Sequence, residues 1–272
     1  MKFFLGIFIF LFFKKCQPLN KRLNIPYKKD MSTFKNFANT YNKQYKKTYE
    51  LEKGYVNFKN NIDFINHHNQ NTSNSFSLKV NQFADEDPLY LKKDLFSFKI
   101  DKKNDTIIEN KSKNNFFFSS KVNPYKIPNR LDYREKNVIT NVKNQGRCGS
   151  CWAFSTVGAL EAKYALDNNK LIEFSEQKLV DCSTSNYGCS GGFMHEAFND
   201  LLLKHGLPLE EDYPYVGTKQ PCNYLINDKP DFNFLGYQFV LSHSKEALKH
   251  ALQHNPVCIA LAGDPMKFLF YG

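Results

Sequence analysis

Gln145-Gly146-Arg147-Cys148-Gly149-Ser150-Cys151-Trp152-Ala153-Phe154 is the stretch that decides how this chain is read. Gly149 and Ser150 make a turn before Cys151. From there Ala153, Val157, Leu160 and Tyr164 recur at helical spacing, which predicts a helix beginning at Cys151. Unsatisfied N–H groups and the positive end of a helix dipole favour a thiolate at that spot, and the thiolate is the attacking form of cysteine. Two cysteines three apart also occur in zinc sites and redox pairs. Zinc needs four ligands and no second C-x-x-C is present, so no metal is expected. A redox pair needs a thioredoxin-like βαβ context, which the upstream sequence does not provide. Cys148 and Cys151 therefore read as one structural and one reactive cysteine.

The chain around this stretch is 272 residues long, 42% hydrophobic and 24% charged, enough apolar material for a globular core. Gly and Pro together number 24, and no period of roughly 20 to 50 residues recurs, which excludes fibres and solenoids. The net charge of +10 is unevenly placed. Residues 1–126 carry 23 Lys/Arg against 11 Asp/Glu, whereas residues 127–272 carry 14 against 16. The lysines are dispersed among Asn and Phe without a basic stripe or recognition motif, so no nucleic-acid partner is expected.

At the amino end, Phe3 to Phe13 is an unbroken apolar run of 11 residues, shorter than the roughly 17 to 25 that span a bilayer as a helix. It fits a secretory signal, with a retained anchor as the alternative because Lys14-Lys15 follow it directly. From Met31 the spacing turns helical. Ser32 can cap, and Phe34, Phe37, Tyr41 and Tyr45 share one face. Glu50, Gly54, Phe58, Asn61, Ile65 and Asn69 form a second stripe, completing a helical hairpin. Val80 to Asp85 reads as a short extended piece. Lys92 to Lys126 loses periodicity and reads as a linker. Asn71, Asn104 and Asn110 are glycosylation acceptors, weak support for secretion in a chain so rich in Asn.

Cys148-Gly149-Ser150-Cys151-Trp152 resembles the signature of the papain-like cysteine proteases, of the cathepsin L type in particular. The resemblance runs from about residue 31 to the last residue. The stripe from Glu50 to Asn69 looks like the ERFNIN motif of the family's inhibitory propeptide, with Gly54 where the family usually has Arg. Lys79-x-Asn81-x-Phe83-x-Asp85 looks like its GNFD motif, with Lys79 in place of Gly. These departures bear on a propeptide salt bridge and on a tight backbone turn.

The resemblance implies an α+β, papain-like two-lobe fold, its helical lobe complete and its β-rich lobe incomplete, preceded by a mainly helical propeptide. It divides the chain into a signal or anchor (1–18), an inhibitory propeptide (31–100), a linker with the activation cleavage near Lys126 (101–126) and a partial peptidase domain (127–272). It assigns Cys151 as nucleophile and Gln145 as oxyanion donor beside the Cys151 N–H. Gly191 and Gly192 become the strip that pairs with substrate backbone, and Phe193 and Met194 the lining of an adjoining pocket for an apolar residue. It pairs Cys148 with Cys189 and Cys182 with Cys222. Cys258, in the apolar run from Pro256, reads as a buried small hydrophobe. The partners implied are protein or peptide substrates and the chain's own propeptide in cis. No cofactor is implied, a membrane enters only if the amino-terminal segment is retained, and the location is the secretory route, ending in a lysosome-like vacuole or outside the cell.

Thiol proteolysis also needs a base. In this family the His and Asn lie about 130–150 residues after the Cys, here roughly positions 281 to 301. Gly272 is 121 residues past Cys151. His195, His205, His243, His250 and His254 lack the family's Asn-His-Ala context. The expectations are that the base lies outside residues 1–272 and that this chain alone is inactive. Phe232 to Val240 and Pro256 to Ala262 read as strands lacking sheet neighbours. The alternative function is a catalytically dead homologue that acts as a propeptide-type inhibitor or decoy.

Overall fold

The computed structural model describes residues 29–95, 127–204, 206–226, 234–261 and 265–272. The apolar amino end, Cys16, residues 101–126, the acceptors Asn104 and Asn110, and His205 lie outside them. The chain divides into two compact units between Asp85 and Glu86.

The first unit is a helical hairpin of α1 (Lys29–Thr40) and α2 (Thr48–Gln70). Helix α1 starts upstream of Ser32, which lies inside it and is not its cap. It ends where Asn42 turns left-handed at φ 50, letting the Lys43 N–H reach the Ala38 carbonyl at 2.8 Å. Tyr41 and Tyr45 thus lie beyond the helix, and the aromatic spacing overruns it. Phe34, Phe37, Tyr55, Phe58 and Ile65 are buried, and Phe34 and Phe37 of α1 pack on Tyr55 and Phe58 of α2, with Phe37 and Phe58 ring centroids 4.7 Å apart. Burying side chains of this kind stabilises by about 1.5–3 kcal/mol each.

The polar members of the α2 stripe hold the returning segment by its backbone. Asn61 Nδ2 donates to the Ala84 carbonyl at 2.9 Å, and Asn69 both donates to the Leu78 carbonyl and accepts its N–H, at 2.9 and 2.8 Å. Glu50 caps the start of α2, accepting the Lys46 N–H at 2.9 Å. Residues 82–85 form a turn instead of an extended piece, because Asn81 accepts the Phe83 N–H through its side chain at 3.0 Å and the Ala84 N–H through its carbonyl at 3.0 Å. Lys79 has no left-handed backbone, so a side chain is tolerated there. Gly54 is where the Tyr45 ring enters. A Cβ at position 54 would lie 2.9 Å from Tyr45 Cε1.

The second unit carries α3 (Pro88–Leu95), α4 (Cys151–Asn168), α5 (Glu176–Cys182), α6 (Met194–Lys204), α7 (Lys245–Ala251) and α8 (Pro265–Leu269). Its core is the inner face of α4, where Trp152, Ala153, Val157, Leu160 and Tyr164 pack on Phe174, Leu179, Val180, Ala197, Leu201 and Leu207. Asn169, left-handed at φ 52, ends α4 by returning its N–H to the Ala165 carbonyl at 2.9 Å. Ser175 caps α5, accepting the Lys178 N–H at 3.0 Å. Residues 234–240 and 256–261 run without strand pairing. A strand exists only through its neighbours, and the described residues supply none beside these segments. Cys258 is half-buried, not fully buried, and its Sγ donates to the Ser155 carbonyl at 3.0 Å.

Candidate active site

Cys151 is the first residue of α4 and is exposed. Partial burial of its sulfur pushes the thiol pKa above its ordinary value, while the N–H groups of Trp152 and Cys151 itself pull it down. No cationic side chain among the described residues contributes to that balance.

The loop before α4 is held from several sides. Asn144 Oδ1 accepts the Gly146 N–H at 2.9 Å, at a glycine whose φ of +62° suits a residue without Cβ. Half-buried Gln145 donates from Nε2 to the Cys148 carbonyl at 2.7 Å, which places its amide on the same short loop as Cys151. Disulfides join Cys148 to Cys189 and Cys182 to Cys222. The Gly149 N–H also donates to the Cys189 carbonyl at 2.9 Å, so the glycine strip and the cysteine loop are fixed to each other.

Gly191 has φ 104, a backbone that L side chains rarely adopt, and its carbonyl accepts the Tyr187 N–H at 3.0 Å. A Cβ at Gly192 would meet Asn186 Oδ1 at 2.3 Å and Trp152 Cδ2 at 2.9 Å. Asn186 accepts the Phe193 N–H at 2.7 Å, and Trp152 Nε1 donates to the Gly188 carbonyl at 3.1 Å. Phe193 and Met194 are half-buried at the start of α6, Met194 packing against the core.

Of the histidines, His195 lies in α6 with its ring 5.4 Å from that of Phe193 and 5.9 Å from that of Phe239. His243 precedes α7, His250 lies in it, and His254 follows it. The rings of His250 and His254 are 5.2 Å apart, at a spacing also found in metal sites, but no group of three or more His, Cys, Asp or Glu gathers among the described residues.

Sequence reasoning passes over a buried charged cluster beside α4. Glu161 accepts Lys143 Nζ at 2.6 Å, the Phe174 N–H at 2.8 Å and Thr140 Oγ1 at 2.7 Å. Lys143 Nζ also donates to Glu176 Oε1 at 2.7 Å. Burial raises the Glu176 carboxyl to about 7 against the opposing pull of Lys143. The available signal is Glu161 itself, a charge four residues after Val157 on the apolar face of the helix.

Cys151 thus opens a helix, the Gln145 amide lies on the preceding loop, and a glycine strip is tied to that loop by a disulfide. Residues 127–272 match the papain family cysteine protease domain and residues 34–88 the cathepsin propeptide inhibitor domain, and the chain belongs to the papain family. It is 38% identical to the senescence-specific cysteine protease SAG12 of Arabidopsis thaliana over 221 residues, 80% of this chain and 62% of that one. It is 36% identical to the viral cathepsin of Lymantria dispar multicapsid nuclear polyhedrosis virus, over 81% of this chain and 60% of that one. The chain thus spans about three fifths of the length of these relatives. Among solved structures it resembles the proform of the ragweed pollen allergen Amb a 11, a cysteine protease, with TM-score 0.74 and 34% identity over 89% of this chain and 72% of that one. It also resembles digestive procathepsin L 3 of the Tenebrio molitor larval midgut, with TM-score 0.69 and 28% identity over 82% and 70%. The fold is that of a papain-like proform, helix-rich here.

Proposed function

We propose that the protein is the zymogen of a cysteine endopeptidase. The observation that carries this reading is the exposed Cys151 at the start of α4, with Gln145 on the same short loop. The Cys151 thiolate attacks a peptide carbonyl carbon, forming a C–S bond. The resulting oxyanion is held by the Gln145 amide and the Cys151 N–H, a kind of donor worth about 10²–10³ in rate. Collapse breaks the C–N bond, the amine leaves with a proton from the base, and water then hydrolyses the thioester.

The base in this reading is a histidine outside residues 1–272. Gly191 and Gly192 pair with substrate backbone, and Phe193 and Met194 line the adjoining S2 pocket and favour an apolar residue there. Residues 31–100 are the inhibitory propeptide and 101–126 contain the activation cleavage. The disulfides suit an oxidising compartment, and passage through the secretory route to a lysosome-like vacuole or the exterior follows.

The test is hydrolysis of a fluorogenic peptide with an apolar residue at the pocket position, after propeptide removal. A protein extended through codons beyond 272 is expected to cleave it and to lose all activity with Cys151→Ala, whereas the 272-residue polypeptide is expected to be inert. Hydrolysis insensitive to Cys151→Ala overturns the reading. Inhibition of a related peptidase by a transcript that stops at codon 272 replaces it with an inhibitor.

A further inference from the structure

Ser150 precedes α4 at the position whose side-chain oxygen ordinarily accepts the second or third N–H of a helix. It makes no such bond. Its Oγ lies 2.6 Å from Tyr215 Oη, and Tyr215 Oη donates to the Gln145 carbonyl at 2.8 Å. The phenol has one proton and spends it on that carbonyl, so Ser150 is the donor in the shorter bond. The other acceptor near Ser150 Oγ is the Cys148 carbonyl, a longer contact at 3.4 Å. The Tyr215 ring stands edge-on to Phe154 with centroids 4.8 Å apart, and its N–H is accepted by Glu210 Oε1 at 2.8 Å. One hydroxyl from a distant segment therefore touches both ends of the loop that joins Gln145 to Cys151. The Trp152 N–H, which a capping serine could engage, instead pulls the Cys151 thiol pKa down against the upward push of burial.

We propose that Tyr215 is a positioning residue: it draws the Ser150 hydroxyl away from the start of α4, leaving the Trp152 N–H to the Cys151 sulfur, and ties that helix to the Gln145 carbonyl. The inference deepens the reading of Cys151 as nucleophile and rests on it. Helix-end interactions of this kind bias an equilibrium about two- to fivefold. The charged groups facing Tyr215 are Glu210, through its bond to the Tyr215 N–H, and Glu176, whose charge acts on the phenol. Both stay in place when only the hydroxyl is removed.

The experiment is the pH dependence of iodoacetamide alkylation of Cys151 in the full chain, with Cys258 as an internal reference. Tyr215→Phe keeps the ring against Phe154 and removes both hydroxyl bonds. It is expected to slow Cys151 alkylation at neutral pH about two- to fivefold, move the profile to higher pH and leave Cys258 unchanged. In a Ser150→Ala background, where no hydroxyl can swing onto the helix, the same substitution is expected to leave the profile in place. Coincident profiles for wild type and Tyr215→Phe overturn the inference. So does an equal effect in both backgrounds, or a parallel change at Cys258. A wild-type Cys151 no more reactive than Cys258 counts against the nucleophile reading, while the variant ratios still test Tyr215.

Discussion

Lys43 Nζ sits 2.7 Å from Asp85 Oδ1, on a carboxylate whose side chain is only 7% exposed. Tyr45 Oη donates to the other oxygen at 2.9 Å, and burial together with that carboxylate holds the phenol well above its ordinary pKa. The departure at Gly54 removes a cation from the α2 stripe. Lys43 brings one to Asp85 from the α1–α2 link, and the space at Gly54 is taken by the Tyr45 ring. Lys43→Met is expected to cost about 1–3 kcal/mol, the scale for a buried polar group losing its partner. Hydrogen exchange of the α2 amides reads it. The double variant with Asp85→Asn is expected to recover most of the loss, because no buried charge is then stranded.

Glu176 gives the second unit a pH dependence of definite sign. Its folded carboxyl, raised from 4.5 to about 7, binds a proton more readily than the unfolded one. The stability it contributes is present below its unfolded value and lost as pH rises through the folded value. Urea unfolding is therefore expected to show wild-type stability falling between pH 4.5 and 7 relative to Glu176→Gln, which lacks the titration. A difference that grows in the opposite direction contradicts this environment.

Gly192→Ala forces a methyl group onto Asn186 and the Trp152 ring. Overpacking of this kind costs about 1–3 kcal/mol, and a lowered thermal midpoint reads it. Because Asn186 also holds the Phe193 N–H, an accompanying Asn186→Ala is expected to relieve part of the loss while loosening the strip.

The Cys182–Cys222 disulfide spans 40 residues of sequence, for which loop closure gives about 4 kcal/mol. Replacing both cysteines by Ala is expected to lower stability by about 2–4 kcal/mol in urea unfolding and to leave Cys151 alkylation unchanged. Opening Cys148–Cys189 instead frees the loop that bears Gln145, so Cys151 alkylation is expected to change with it.

The legible parts of the fold are those written in local spacing. Ala153, Val157, Leu160 and Tyr164 suffice to locate α4, since all four are buried on one face. The α2 stripe likewise gives its helix, but not that Asn61 and Asn69 face backbone carbonyls of the segment after it. Ser32 misleads as a cap because capping preference is local, and the helix propagates past it. Residues 234–240 and 256–261 have strand composition, yet pairing is a property of neighbours far along the chain. The Ser150–Tyr215 contact joins residues 65 apart, and no pattern in either segment announces it. Glu161 stands out as a charge on the apolar face of α4, but Lys143 and Glu176 are unremarkable until the fold brings them to it.

The most direct measurement of the central claim is peptide mapping after limited alkylation of the unreduced chain with iodoacetamide. The account predicts that Cys151 carries the label before Cys258, whose thiol is half-buried and bonded to the Ser155 carbonyl, while the four disulfide cysteines stay unlabelled. Label appearing first on Cys258, or a Cys151 that resists modification, would contradict it.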